Sequence, residues 1–244
     1  MALSGESGHE EQPTMRTLKI LSGLLCLAAA LPALAQSAPG WSGCFAGGQA
    51  GYGRANIKGW SDTNPPGQPS IGATTASGGA LGGQAGCDLQ AGNWVWGAQA
   101  SLSWADITGS HRYKPFGSGP NDRVDYDIGS LATLTGRLGH LFRPNTLGYV
   151  RAGAAWTRTN HDDSDPAPLF GVPYTGDTTA TRHGWLLGIG VEHRYDRHLS
   201  AFAEYTHMDF GKKTVTIHYS DGVIASYPFR QRMDFLGVGV NYRF

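Results

Sequence analysis

The sequence carries no excess of charge of either sign, and it contains only one long apolar run. Its 244 residues include 19 Lys and Arg against 19 Asp and Glu, a balance that argues against a nucleic-acid-binding surface. After the apolar run Ile20–Leu34, no segment is long and apolar enough to form a membrane-spanning helix. Any residence in a membrane must therefore rely on strands, which satisfy their backbone groups in a bilayer only as a closed barrel.

The single apolar run has the organisation of a secretory signal peptide. It follows two basic residues and ends in the small-residue motif Ala33-Leu34-Ala35, as a cleaved export signal does. We predict that residues 1–35 are an N-terminal extension plus signal peptide and that residues 36–244 form the mature domain. Met15 begins the better-formed basic region, so we expect translation to start there. Cys26 then belongs to the discarded peptide.

Glycine is the residue in clear excess. The chain has 36 glycines, which is about twice the average usage. They show no collagen period and lie within segments that otherwise have the composition of strands. Glycines so placed suit strongly curved strands and the crowded interior of a small barrel.

The terminal segment Asp234–Phe244 shows the strand pattern most clearly, because its apolar residues alternate with mostly small or polar ones. A bacterial outer-membrane strand has this arrangement, with its apolar face toward lipid and its polar face toward the barrel interior. In the fourth predicted strand, Tyr126–Leu141, the alternation places Ile128 on the lipid side and Asp127 on the interior side. The predicted strands are Cys44–Tyr52, Ser77–Leu89, Trp94–Ala105, Tyr126–Leu141, Leu147–Thr157, Arg182–Tyr195, Leu199–His207 and Asp234–Phe244.

The connections between these strands alternate strictly between short and long. This alternation predicts an all-β fold, an eight-stranded antiparallel up-and-down transmembrane barrel with short periplasmic turns and four long extracellular loops. Residues Thr214–Tyr219 and Val223–Phe229 read as a hairpin that extends the last loop, although they could instead be two further barrel strands. The short connections are 90–93, 142–146 and 196–198, and the long ones are 54–76, 106–125, 158–181 and 209–231.

Aromatic residues fall at both ends of the predicted strands. This placement predicts the two interfacial girdles of a membrane barrel, whereas the alternative is that these residues are simply core aromatics. The predicted girdle at the turn end contains Trp94, Trp96, Tyr195, Tyr242 and Phe244, and the one toward the loops contains Tyr52, Trp104, Trp156 and Trp185.

Four motifs resemble the small outer-membrane β-barrel proteins of alphaproteobacteria, the immunogenic or porin-family group of the OmpA-like transmembrane superfamily. The motifs are WSGCFAGGQAGYG (41–53), TGRLGHLF (135–142), AEYTHMDFG (203–211) and the terminal LGVGVNYRF. The resemblance implies that Phe244, together with Tyr242, is the signal recognised by the barrel-assembly machinery. Cys44 departs from the family pattern, which has an aromatic or aliphatic residue at that position.

The predicted interior carries nearly balanced charge. Because buried charges must be paired, we predict a salt-bridged plug centred on Arg137, Glu192, Glu204 and Arg243. A structural polar core is the favoured interpretation, and a narrow gated ion pathway is the alternative. The predicted inward-facing charged residues are Arg137, Arg151, Arg194, Arg243, Asp88, Asp127, Glu192 and Glu204.

Cys44 and Cys87 are the cysteines left after cleavage, too few to form a zinc site by themselves. A strand register in which the paired residue numbers sum to 131 would bring them together as a cross-strand disulfide near the periplasmic rim. A structural bridge, two unpaired thiols facing lipid and a reactive redox pair all remain open. The segment His161–Asp165 has the composition of a divalent-cation site, although a solvated surface loop is favoured.

The sequence thus predicts an exported, monomeric outer-membrane barrel with a structural and surface-exposed role in the envelope. No cofactor, metal or catalytic residue is assigned, and the histidines form no recognisable catalytic arrangement. The expected partners are outer-membrane lipid and, during biogenesis, the barrel-assembly machinery, whereas the ligand of the loops is not identified. A small porin and a lipid-modifying enzyme are the two alternative functions.

Overall fold

Eight antiparallel strands close into a barrel, which confirms the predicted fold class. The computed structural model describes residues 40–59, 72–112, 123–165, 174–220 and 224–244, so the predicted signal peptide lies outside the described residues. Among the described residues, no helix has the length and apolar character to cross a membrane. The strands are β1 Gly43–Gly59, β2 Gly72–Ala91, β3 Trp94–Arg112, β4 Arg123–Arg143, β5 Thr146–Asp165, β6 Tyr174–Arg194, β7 Leu199–Tyr219 and β8 Ile224–Arg243.

Each strand pairs with its sequence neighbours, and β8 pairs with β1 to close the ring. The β1–β2 register is the predicted one, with Cys44 opposite Cys87 and Gly47 opposite Gln84. At the closing seam the backbone N–H of Phe244 donates a hydrogen bond of 3.0 Å to the Cys44 carbonyl. Closure leaves no free edge along this seam, as a membrane barrel requires.

The three short connections lie at one end of the barrel, the predicted periplasmic end, and the predicted extracellular end lies opposite. Gly92 begins the β2–β3 turn with a φ of +60°, a left-handed conformation that glycine adopts without steric cost. In the β6–β7 turn, the Asp196 carboxylate accepts the backbone N–H groups of His198 at 2.7 Å and Leu199 at 2.8 Å. These backbone hydrogen bonds lower the pKa of Asp196.

At the other end the strands run well beyond their predicted limits. Segments assigned to long loops, such as 54–59 and 174–181, are continuations of β1 and β6. The hairpin arms predicted above the last loop are the outer ends of β7 and β8, and no ninth or tenth strand occurs in the described part of the chain. The inter-strand segments left at this end are correspondingly shorter than the predicted loops.

The outer surface carries a continuous apolar band on the side chains predicted to face lipid. Along β6 and the residue that follows it, the band runs from Trp185 to Tyr195, with Ile189 near its middle and 61% exposed. Ten residue steps at about 3.3 Å, tilted by about 40°, span about 25 Å, which matches the apolar band of an outer-membrane barrel. This band therefore marks the membrane-spanning part of each strand.

The band ends abruptly on the extracellular side. On β1, the outward Tyr52 is followed on the same face by Arg54, and on β5 Trp156 is followed by Arg158. Beyond this boundary the pattern inverts, because the outward residues are polar and the interior is apolar. Two clusters fill the extracellular half of the lumen, a lower one that includes Leu186, Met208 and Met233 and an upper one that includes Ile57, Val124, Tyr126, Val215 and Phe229.

The predicted orientations of Ile128 and Asp127 are wrong. Ile128 is fully buried in the lower cluster, whereas Asp127 is half-buried on the outer side. The register between β4 and β5 shifts between Ile128 and Ser130, so Gly129 forms a β-bulge. A bulge adds one residue and reverses the facing of every side chain beyond it.

Candidate functional site: the closed interior of the barrel

The periplasmic half of the lumen is filled by an ionic network centred on Asp88. Arg137 reaches this carboxylate with two donors, Nε to Oδ1 at 2.8 Å and Nη2 to Oδ2 at 2.5 Å. Arg243 adds a third donor, Nη2 to Oδ2 at 2.8 Å. Gly97 faces Asp88 from β3, where a Cβ would overlap the carboxylate. The absence of a side chain at this position makes room for the network.

Glu192 forms an ion pair with the Nη1 group of Arg137, which does not contact Asp88. The Arg137 Nη1 atom donates to Glu192 Oε2 at 2.9 Å, while Ser200 Oγ and Asn241 Nδ2 donate to Oε1 at 2.6 and 3.1 Å. The guanidinium lies between the rings of Phe45 and Tyr149, at 5.0 and 5.1 Å from their centroids. Charge pairing, hydrogen bonding and cation–π contact together hold this buried cation in place.

A second ion pair joins Arg151 and Glu204. Tyr149 Oη donates to Glu204 Oε2 at 3.0 Å, and Thr206 Oγ1 donates to Oε1 at 3.0 Å. The two parts of the network therefore meet at Tyr149. Three guanidinium groups oppose three carboxylates, so these six side chains carry no net charge.

Trp41 closes the periplasmic mouth below this network. Its side chain is 1% exposed and packs with Leu141, Leu147 and Tyr149. Its backbone N–H donates to Gln90 Oε1 at 2.6 Å, and its indole Nε1–H donates to the carbonyl of Pro144 at 3.2 Å. The short segment preceding β1 is thus folded into the barrel as a stopper.

The network differs from the predicted plug in its membership. Asp88 and Arg151 were predicted only as inward-facing. Asp88 is the carboxylate at the centre of the network, and Arg151 forms an ion pair with Glu204. Arg194 does not join the network: it donates to the carbonyl of Gly40 at 2.6 Å and lies 5.2 Å from the Trp41 ring. Arg243 bonds the carbonyl oxygens of Trp41 and Gly43 at 2.6 and 3.1 Å in addition to Asp88. Alternation identifies which residues face inward, but not which of them meet across the lumen.

The predicted girdle residues all lie on the outer surface. Their exposed fractions range from 38% for Trp156 to 72% for Trp104. At the turn end, the ring of Tyr242 lies 5.6 Å from that of Phe244 and is stacked at 5.5 Å on His198. The remaining residues of this set are Tyr52, Trp94, Trp96, Trp185 and Tyr195.

Cys44 and Cys87 form a disulfide across the β1–β2 pair, at a sequence separation of 43. Both lie on the lipid-facing side of their strands, near the ends of β1 and β2 that meet the short connections. A cross-link between strands that are already paired fixes their register and shortens the loop that the unfolded chain must close.

The predicted acidic segment lies on the extracellular extension of β5 rather than in a loop. Strand pairing places Asp162 between Asp125 and Asp177 on neighbouring strands, and we call these three residues the acidic row. Burial and the neighbouring carboxylates raise the pKa of Asp162. No group of His, Cys, Asp or Glu side chains among the described residues is placed to hold a metal ion.

The lipid-facing band and the filled interior define an integral β-barrel protein of the outer membrane. The chain belongs to the family described as "Outer membrane protein beta-barrel domain", whose sequence profile matches residues 22–244. No curated protein sequence matches the chain significantly.

Three solved structures illustrate the fold similarity. OprG from Pseudomonas aeruginosa is 12% identical with a TM-score of 0.53, over 85% of this chain and 99% of that one. The outer membrane protease OmpT from Escherichia coli is 9% identical with a TM-score of 0.52, over 83% and 97%. Ail, the attachment invasion locus protein of Yersinia pestis, is 13% identical with a TM-score of 0.41, over 83% and 99%. At such low identity, the similarity concerns the fold alone.

Proposed function

We propose that this protein is a closed, monomeric barrel with a structural and surface-exposed role in the cell envelope, neither a pore nor an enzyme. The single observation that carries this proposal is the neutral network of Asp88, Glu192 and Glu204 with three arginines, sealed by Trp41. A conducting lumen would keep such charged side chains solvated, whereas in this barrel they form ion pairs with one another. The lipid-facing band anchors the barrel, and the extended strands carry the four inter-strand segments outward.

Single-channel recording tests the closed state directly. Mature protein that has been shown by gel shift before and after boiling to be folded is inserted into planar bilayers. We expect no discrete conductance steps above the baseline. A matched variant, Arg151→Ser with Glu204→Ser, removes one whole ion pair without unbalancing the network and reports whether small openings are detectable. Discrete steps from the unmodified protein would overturn the proposal in favour of a small porin.

The absence of lipid chemistry is tested separately. Cells that overproduce the protein are expected to show an unchanged lipid A mass spectrum. A changed mass that disappears when exposed Ser or His residues are replaced would make the protein a lipid-modifying enzyme. The envelope role itself predicts that deletion of the gene increases the sensitivity of the cells to bile salts and to bulky antibiotics, and that the unmodified gene restores resistance.

Export and assembly form part of the same proposal. Residues 1–35 direct export and are removed, and the chain then folds with the help of the barrel-assembly machinery. The exposed aromatic side chains of Tyr242 and Phe244 at the end of β8 suit a signal that is read before the barrel closes. Phe244→Ser is expected to lower the amount of heat-modifiable protein in outer-membrane fractions, whereas Phe142→Ser, an equally exposed change at a periplasmic turn, leaves it nearly unchanged.

A further inference from the structure

A belt of polar side chains interrupts the apolar extracellular half of the lumen. It consists of Thr159, Arg182 and Gln231, each of which is fully buried. Two residues further out on the same strand faces, Ala180 and Phe229 pack in the upper apolar cluster. On the membrane side, Leu186 on β6 and Met233 on β8 belong to the lower cluster. The belt therefore lies between two apolar layers.

Most side-chain polar atoms of this belt lack hydrogen-bond partners among the described residues. Arg182 donates from Nη1 to the carbonyl of Phe229 at 3.2 Å, but its Nε and Nη2 atoms have no hydrogen-bond partner, and no described carboxylate forms an ion pair with it. Both polar atoms of the Gln231 side chain and the Thr159 hydroxyl are also unpaired. A buried cation without a counter-ion is strongly unfavourable, so a group from outside the chain is expected to complete it.

Arg137 in the same barrel indicates which kind of group the unpaired Nε and Nη2 atoms of Arg182 can bind. The Nε and Nη2 atoms of Arg137 bind both oxygens of the Asp88 carboxylate, at 2.8 and 2.5 Å. In Arg182 the same two atoms are the unpaired ones. Nε–H and Nη2–H point in parallel from one edge of a guanidinium and match the two oxygens of a carboxylate.

An irregularity in the pairing of β6 with β7 lies beside this site. Pairing between β6 and β7 stops at Trp185 and Asp209 and resumes only at Asp177 and His218. Arg182 lies within this interval, which we call the β6–β7 seam. The seam begins at Trp185, the girdle residue that ends the lipid-facing band on β6, so its lower end lies at the level of the outer-leaflet head groups.

The charges that line the seam favour an anion. Lys213 on β7 reaches across its outer surface and donates from Nζ to the carbonyl of Thr181 at 2.6 Å. Asp209 at its lower end is already paired with Arg230 and Arg232, at 2.8 and 3.0 Å. A ligand that enters through the seam would therefore meet Lys213 outside and Arg182 inside, without an unpaired carboxylate between them among the described residues.

We propose that Arg182 binds the carboxylate of an amphipathic molecule, such as a fatty acid, that enters from the outer leaflet through the β6–β7 seam. Its carboxylate occupies the Nε and Nη2 edge of Arg182, with the Gln231 amide and the Thr159 hydroxyl at the same level as further polar partners. Its alkyl chain lies against the apolar layers that flank the belt. The ionic network and Trp41 close the lumen below, so the site binds the molecule without passing it to the periplasm.

The test uses the mature protein in phosphatidylcholine nanodiscs and equilibrium dialysis with radiolabelled dodecanoate, corrected for binding to empty discs. We expect saturable binding that weakens at least tenfold in Arg182→Gln. Arg158→Gln is the matched control, since Arg158 lies nearby on β5 but faces outward, and it should leave binding unchanged. Gln231→Leu gives a second, uncharged perturbation and should weaken binding severalfold.

Two competitors separate the chemical classes. If dodecanol competes as well as dodecanoate, the site does not recognise the charge of the carboxylate. If inorganic phosphate competes as well as dodecanoate, the site does not recognise the alkyl chain of the ligand. Either result overturns the proposal, as does the absence of saturable binding, which would mean that water alone completes the belt.

A stability measurement distinguishes a ligand site from a structural arginine. Without ligand, Arg182→Gln should raise the urea midpoint of unfolding, because it removes an unpaired buried charge. Added dodecanoate should raise the midpoint of the unmodified protein alone. A lower midpoint in Arg182→Gln, or loss of its heat-modifiable folded form, would identify Arg182 as a structural residue and refute the proposal.

Discussion

Removing the charge of Asp88 tests whether the ionic network is a structural necessity. Asp88→Asn preserves the volume of the side chain, but an amide offers one acceptor oxygen to three donors, Arg137 Nε, Arg137 Nη2 and Arg243 Nη2. At least one guanidinium N–H then faces the amide NH2 group, and the network gains a net positive charge at a buried site. Breaking one partner of a buried ion pair costs about 3 to 5 kcal/mol, and we expect a loss of this size.

The assay is reversible urea unfolding of the protein in lipid vesicles, followed by tryptophan fluorescence. The matched control is Asp106→Asn, the same substitution at an outward-facing, exposed site on β3, which should stay within about 0.5 kcal/mol of the unmodified protein. A double-mutant cycle with Arg243→Gln should give a coupling of about 1 to 3 kcal/mol. An Asp88→Asn variant that loses less than about 1 kcal/mol would refute the claim that the three donors depend on this carboxylate.

Three further predictions follow from the outer surface. Ile189→Arg, near the middle of the lipid-facing band, should cost about 2 to 4 kcal/mol in the same assay, whereas Thr108→Arg above the band should cost little. Reduction of the disulfide between Cys44 and Cys87 should lower stability by about 4 kcal/mol on loop-closure grounds, and a reductant should have no effect on the double serine variant. Because the pKa of Asp162 is raised in the folded state, its contribution to stability is greatest below the ordinary aspartate pKa and declines as the pH rises through the raised value. Asp162→Asn should remove that decline in thermal melts across pH 3 to 6, and an unchanged pH profile would contradict the repulsion in the acidic row.

The sequence predicted the membrane-spanning part of each strand because one rule prevails there, with apolar side chains outward and polar ones inward, even though a few apolar residues such as Phe45 and Phe202 face the lumen. The rule fails beyond Tyr52 on β1, where Ala55 and Ile57 turn inward to an apolar interior and Arg54 and Lys58 are exposed. A segment whose pattern changes sense in this way no longer resembles a membrane strand. The outer third of the sheet was therefore assigned to loops.

The interior site was predicted in composition but not in connectivity. Alternation indicates that Asp88, Arg137 and Arg243 face inward, yet they come from β2, β4 and β8 and meet only because the ring closes. Which carboxylate lies nearest each guanidinium depends on the tilt of the strands, and a pattern read along one strand at a time contains no such information. The bulge at Gly129, which reverses Asp127, is equally invisible without the register.

The two halves of this barrel are stabilised by opposite arrangements of the same side chains. The periplasmic half carries its apolar band on the outside and a paired ionic network inside, above the buried cluster of Trp41 and Leu147. Contact with lipid makes that arrangement favourable. The extracellular half buries Met208, Phe210 and Met233 inside and exposes polar groups, and this arrangement is stabilised by the hydrophobic effect in water. The arrangement reverses at the level of the outer girdle. A buried polar group near that level reaches neither the ionic network below nor the solvent above. Arg182 lies at this level, and its Nε and Nη2 atoms have no hydrogen-bond partner among the described residues.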